Sequence, residues 1–158
     1  MGFLTGKPAI ITGGGFAALK NGEPGSIGYG IATAYAKEGA NLVITGRNVK
    51  KLEAAKQELE SLYGIKVLTV QADVCAGGDN EATVANVVKQ AVDTFGGIQV
   101  LINNAQASAS GVPLAEHTTE QFDLAIYSGL YAAFYYMKAC YPYLAESHGS
   151  VINFASGA

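Results

Sequence analysis

The sequence predicts an α/β fold built on a parallel sheet, and three observations predict it. Short apolar runs alternate with longer amphipathic ones along the whole chain. Several apolar runs are continuous, as suits strands covered on both faces. The first run ends in a cluster of glycines that leads into a helical pattern.

Each element follows in order. Pro8–Thr12 (PAIIT) reads as a strand, and Ser26–Glu38 has helical spacing that stops at Gly39. Asn41–Thr45 (NLVIT) is a second strand. Val49–Leu62 is a helix with Leu52, Ala55, Leu59 and Leu62 on one face and charges on the other. Ile65–Gln71 is a third strand, Asn80–Phe95 a helix closed by Gly96 and Gly97, and Ile98–Ile102 (IQVLI) a fourth strand. A long helix is expected from Thr118 to about Ala145, and a fifth strand at Val151–Phe154 (VINF). Right-handed crossovers and a glycine-rich first turn favour the order 3-2-1-4-5, a Rossmann-type doubly wound parallel sheet.

Bulk properties narrow the function. With 158 residues, 49% hydrophobic and 15% charged, the chain reads as one globular domain with no internal linker. A net charge of −3 argues against a nucleic-acid partner, which would require a dense basic patch. No apolar run approaches the roughly 18 residues of a membrane span, and no signal-peptide pattern opens the chain. Cys75 and Cys140 have no metal-ligand spacing. No metal site is expected, and two free thiols fit a reducing cytoplasm.

The first turn carries the strongest functional signal. Glycine there lets backbone N–H groups approach a pyrophosphate while the next helix directs its positive end at that charge. Thr12, Gly13, Gly14, Ser26, Ile27 and Gly28 are the candidate cofactor residues of this turn. A tight strand-to-helix turn with no ligand is the plain structural alternative.

At these residues the chain resembles the short-chain dehydrogenase/reductase family. Thr12-Gly13 and Ser26-Ile27-Gly28 are similar to the two ends of its T-G-x-x-x-G-x-G turn. Two departures stand out: the step from Thr12 to Gly28 is sixteen residues, with Phe16–Pro24 inserted, and Ser26 replaces the middle glycine. Enoyl-acyl-carrier-protein reductases carry a similar long turn. The insertion either folds over the cofactor or contacts substrate, or else is a solvated surface loop.

The resemblance implies further roles. After the second strand, an acidic residue would bind the ribose hydroxyls of NAD, whereas an arginine welcomes the 2′-phosphate of NADP. Gly46 stands at the acidic position and Arg47 follows it, so NADP(H) is expected over NAD(H). A surface charge at a helix start is the alternative for Arg47, and Thr45 or Asn48 can serve there as a cap. Asp73-Val74 matches the pair that meets the adenine, although Asp73 equally suits an N-cap or a turn.

Asn103-Asn104-Ala105-Gln106 is similar to the family's N-N-A-G. The resemblance implies that Asn103 ties neighbouring strands together through its amide, and it puts Asn104 and Ala105 among the cofactor residues. Gln106 replaces a glycine. Six residues after Asp123, where relatives place an Asn that holds a relay water, stands Gly129. Ser128 or a rearranged water is the candidate substitute. Tyr127, Tyr131 and Tyr135 share one face of the long helix. In the family this helix forms a subunit interface, so a homodimer or homotetramer through residues 118–145 is implied; core packing with exposed hydroxyls is the alternative.

The closing run GSVINFASGA is similar to G-x-I-x-N-x-x-S, whose serine meets the substrate carbonyl; Ser156 is that position and the candidate catalytic residue. The family's Y-x-x-x-K pair would lie beyond Ala158, and no earlier tyrosine has a lysine four residues on. The stretch therefore reads as the N-terminal portion of a longer protein, with little general acid catalysis of its own. The leading reading is an NADP(H)-dependent oxidoreductase that interconverts a carbonyl and a secondary alcohol of a small molecule. The alternatives are an enoyl-thioester reductase of the same fold and a non-catalytic dinucleotide-binding sensor or scaffold.

Overall fold

The computed structural model describes residues 2–75 and 80–155. The strands are β1 (Pro8–Thr12), β2 (Asn41–Gly46), β3 (Val67–Gln71), β4 (Val100–Asn103) and β5 (Ser150–Asn153). The helices are α1 (Ile27–Lys37), α2 (Val49–Tyr63), α3 (Asn80–Phe95), α4 (Thr119–Ala125) and α5 (Ala132–Ser147), with a short 3₁₀ turn at Leu114–Glu116 and a π-helical turn at Ile126–Tyr131. The strands form one parallel sheet in the order β3-β2-β1-β4-β5, as expected from the alternation of elements.

The period of two along each strand divides the core into two layers. Ile10, Val43, Val70 and Leu101 face α3 and α5, in one cluster with Val84, Val87, Tyr136 and Cys140. Ile11, Leu42, Ile44 and Ile102 face α1 and α2, in a second cluster with Ala32, Leu52, Ala55 and Leu59. Each fully buried Leu or Ile contributes roughly 1.5–3 kcal/mol. β1 is the central strand, paired with β2 through Ile10↔Val43 and with β4 through Ile10↔Leu101. β5 forms one edge, and all four of its residues are exposed.

Local chemistry explains the helix ends. Ser26 caps α1 by accepting from Tyr29 N–H at 3.4 Å, and Asn48 caps α2 by accepting from Lys51 N–H at 3.1 Å. Gly64, with φ +65°, closes α2 in the left-handed conformation. Thr118 and Gln121 cap α4 reciprocally.

Several expectations are corrected. The third strand begins at Val67, not Ile65, because Asn41 Oδ1 holds the preceding Lys66 N–H at 3.0 Å. The fourth spans Val100–Asn103 rather than Ile98–Ile102, since the Ile98 carbonyl accepts from the Ser147 hydroxyl at 2.8 Å. The fifth runs Ser150–Asn153 rather than Val151–Phe154. The expected single helix from Thr118 to about Ala145 is α4, a π turn and α5, in which Ala132 N–H reaches the Tyr127 carbonyl. The buried Ser128 hydroxyl explains the widening. It donates to the Leu124 carbonyl at 2.7 Å, a back-bond that bends helices, and Gly129 beside it is a weak helix former.

Candidate functional site

A cleft of about 690 Å³ runs along the carboxyl ends of the strands, where ligands of doubly wound sheets bind. Its centre is the first turn. Gly13 has φ +74°, and a Cβ there would approach Asn104 Nδ2 at 3.0 Å. At Gly28 a Cβ would collide with the Gly13 carbonyl oxygen and come within 2.6 Å of Asn104 Nδ2. Gly14 packs against Ile44, where a Cβ would come within 2.9 Å of Cγ2.

Side chains are thus excluded from a cradle that opens onto the N-terminus of α1. Ser26 occupies the Tyr29 N–H, whereas the Ile27 and Gly28 N–H groups have no acceptor within the helix. This arrangement fits a diphosphate. Gly13 and Ile27 line the cleft, and Gly14, Ser26 and Gly28 do not.

The insertion forms a small surface hairpin. Ala18 and Pro24 pair, Leu19 N–H donates to the Glu23 carbonyl at 2.8 Å, and Gly25 N–H donates to Ala17 at 2.7 Å. Phe16 anchors the hairpin, packing edge-on against Tyr29 at 5.1 Å and donating its N–H to the Lys51 carbonyl at 2.8 Å. None of Phe16–Pro24 lines the cleft.

One end of the cleft is walled by Gly46, Arg47, Ala72, Val74 and Cys75. The Arg47 carbonyl accepts from Gln71 Nε2 at 3.1 Å, and among the described residues its guanidinium forms no ion pair. Val74 is buried, its carbonyl held by Asn80 Nδ2 at 2.8 Å. Asp73 lies off the wall, and its Oδ1 accepts from Cys75 N–H at 2.9 Å. Burial, then the Asp73 charge, raises the Cys75 thiol above its ordinary pKa.

Thr12 organises the middle of the cleft. Its hydroxyl accepts from Asn104 N–H and Ala105 N–H, both at 2.9 Å, and donates to the Ile102 carbonyl at 3.3 Å. Its carbonyl accepts from Asn104 Nδ2 at 2.9 Å. Asn103 Nδ2 donates to Asn153 Oδ1 at 2.8 Å, so this side chain ties β4 to β5. On the floor, Tyr136 is 1% exposed, and its hydroxyl has no hydrogen-bond partner among the described residues. Burial pushes this phenol up to about 12, although the nearby Thr45 hydroxyl pulls the other way.

The far end combines Gln106 and Ala107 with the π turn and with Asn153, Phe154 and Ala155. Here the Ser128 hydroxyl accepts from Ala107 N–H at 2.9 Å and lies 3.1 Å from the Ala107 carbonyl. Ser156 lies outside the described residues, next in sequence to Ala155. Sequence reasoning missed Asn80, Tyr136 and Asn153. Asn80 and Asn153 were findable as polar residues at strand or helix ends, whereas nothing in a tyrosine-rich helix marks Tyr136 as the one at the cleft floor.

Among the described residues no group of His, Cys, Asp and Glu could hold a metal, and no helix is long and apolar enough to cross a membrane. Similar proteins are numerous. A 12alpha-hydroxysteroid dehydrogenase from a Clostridium species is 63% identical over 158 residues, all of this chain and 58% of that protein. The L-sorbose reductase of Gluconobacter frateurii, solved with NADPH and L-sorbose, superposes with a TM-score of 0.81 at 30% identity, over 97% of this chain and 53% of that one. An NAD+-bound xylitol dehydrogenase superposes with a TM-score of 0.83 at 26% identity, over 98% and 54%. The chain thus spans little more than half the length of each. The model of the short chain dehydrogenase family matches residues 9–158. With almost every residue inside that match, the chain belongs to the short-chain dehydrogenase family.

Proposed function

We propose that this chain forms the cofactor-binding part of an NADP(H)-dependent oxidoreductase that interconverts a secondary alcohol and a carbonyl by hydride transfer. The observation that carries the reading is the continuity of one cleft from the Gly13–Gly28 cradle to Arg47. A diphosphate at the cradle places a nucleoside toward Gly46, Arg47 and Val74. No acidic side chain stands at Gly46 to repel a 2′-phosphate, and Arg47 offers a bidentate donor. Asn104 and Ala105 border the central stretch, and Asp73 supports the adenine end through its turn with Cys75.

The bound nicotinamide supplies or accepts the hydride. We propose Ser156 as the group that hydrogen-bonds the reacting oxygen. The 63% identical relative is named for a 12α-hydroxysteroid, and a steroid alcohol is the substrate class we propose here. Tyr127 stacks on Tyr131 at 5.3 Å, Tyr135 lies tilted against Tyr131 at 6.0 Å, and Leu130, Tyr131 and Phe134 are exposed at this face. This aromatic surface supports a homodimer or homotetramer. The free thiols Cys75 and Cys140 support a cytoplasmic setting.

Titration of the whole protein with NADPH and NADH tests the cofactor assignment. NADPH is expected to bind more tightly, and Arg47→Asp is expected to weaken it by roughly one to two orders of magnitude while NADH changes little. Undiminished NADPH affinity in that variant would overturn the assignment.

A further inference from the structure

At the far end of the cleft two residues fit together. Gly129 lies in the π turn, yet its φ is not positive, so its backbone does not require glycine. The atoms nearest a Cβ built there belong to Gln106, at 3.6 Å for Nε2, 3.7 Å for Cγ and 3.8 Å for Cδ. These are ordinary contact distances. A methyl group would fit, but a longer side chain would take the space that Gln106 fills.

The backbone that carries Gln106 is clamped on both sides. Ala105 N–H is held by Thr12 Oγ1 and Ala107 N–H by the buried Ser128 Oγ, each at 2.9 Å. From this backbone the side chain of Gln106 lies against Gly129 in the turn. Around it the wall is mostly apolar, formed by Ala125, Ile126, Ala133 and Phe154. In such a pocket a few polar groups set the orientation of the ligand. A carboxamide supplies both a donor and an acceptor at one point and keeps them at any working pH.

We propose that Gln106 is a specificity-determining residue whose carboxamide hydrogen-bonds a polar group of the substrate, and that Gly129 is small so that this side chain can lie across the π turn. This rests on the oxidoreductase reading above. It adds a substrate contact from the loop after β4, on the helix side of the cleft.

The test uses the whole protein with a 12α-hydroxysteroid and NADP+. Gln106→Gly is expected to lower kcat/KM about tenfold, mostly through KM, with NADPH affinity and Tm close to those of the unaltered protein. Gly129→Asn alone is expected to lower kcat/KM as well, because two amides compete for one space. In the Gln106→Gly background, Gly129→Asn is expected to restore much of the loss by presenting an amide from the turn. A merely structural role for Gln106 would move Tm and would not give that rescue.

Unchanged kcat/KM in Gln106→Gly overturns the proposal. So does equal damage from Gly129→Asn in both backgrounds. Failure of the unaltered protein to bind either NADPH or NADH would instead remove the oxidoreductase reading and this proposal with it.

Discussion

At Gly28 the first turn has no room for a methyl group, whereas at Gly129 a methyl group would sit in ordinary contact with a flexible glutamine. Gly28 lies in α1 after the first turn, and Gly129 lies in the π turn before α5. Gly28 is closed in by backbone, the Gly13 carbonyl, and by an Asn104 amide that is itself bonded to Thr12. The nearest neighbour of Gly129 is the flexible side chain of Gln106. The phosphate turn therefore owes its shape to steric exclusion, and the opposite corner owes its shape to hydrogen bonds from Thr12 and Ser128. A site built by exclusion fails abruptly on substitution. A site built by hydrogen bonds loses stability in steps.

Substitution at the two glycines tests this contrast most directly and carries the largest expected effect. Gly28→Ala should weaken NADPH binding of the whole protein about a hundredfold or more and cost about 3 kcal/mol of stability, since neither neighbour can yield without breaking the turn. Gly129→Ala should leave both within about 0.5–1 kcal/mol, as a helical Gly→Ala change does where the methyl fits. Comparable losses in the two variants, by NADPH fluorescence titration and urea midpoints, would erase the distinction.

Thr12→Val comes next. The shape is kept while the hydroxyl that receives Asn104 N–H and Ala105 N–H is lost, leaving two partly buried donors without their acceptor. A loss of about 2–3 kcal/mol in the urea unfolding free energy is expected. A change below about 0.5 kcal/mol would show that the stitching is not what holds the loop after β4.

The same contrast explains what could be read from the chain. Exclusion leaves a mark in sequence: the glycines follow an apolar run and precede helical spacing, and that order carried the parallel sheet, its strand order and the first turn. Hydrogen-bond stitching leaves a fainter mark. Nothing in the sequence distinguishes Ser128, buried and bonded to Ala107, from an ordinary helical serine, so the π turn read as unbroken helix. Asn104 and Asn103 are adjacent, yet one bonds back to β1 and the other forward to β5; only the register of the sheet separates these roles. The insertion was ambiguous for a related reason. Its glycines permit many paths, and the contact of Phe16 with Tyr29 places the hairpin outside the cleft.

Ser128→Ala carries a smaller expected effect than Thr12→Val and reads the stitched corner alone. The hydroxyl makes three short approaches but has one proton, so its donor bond is shared between the Leu124 and Ala107 carbonyls while Ala107 N–H depends on it as acceptor. Removing it frees the Leu124 carbonyl for an α-helical partner, which offsets part of the cost. A net loss of about 1 kcal/mol is expected. Hydrogen exchange localises it: Ala107 N–H should lose about tenfold or less of its protection, while Ala105 N–H, held by Thr12, keeps its own. If Ala105 loses protection equally, the loop after β4 opens as one unit, and the two clamps on either side of Gln106 are not independent.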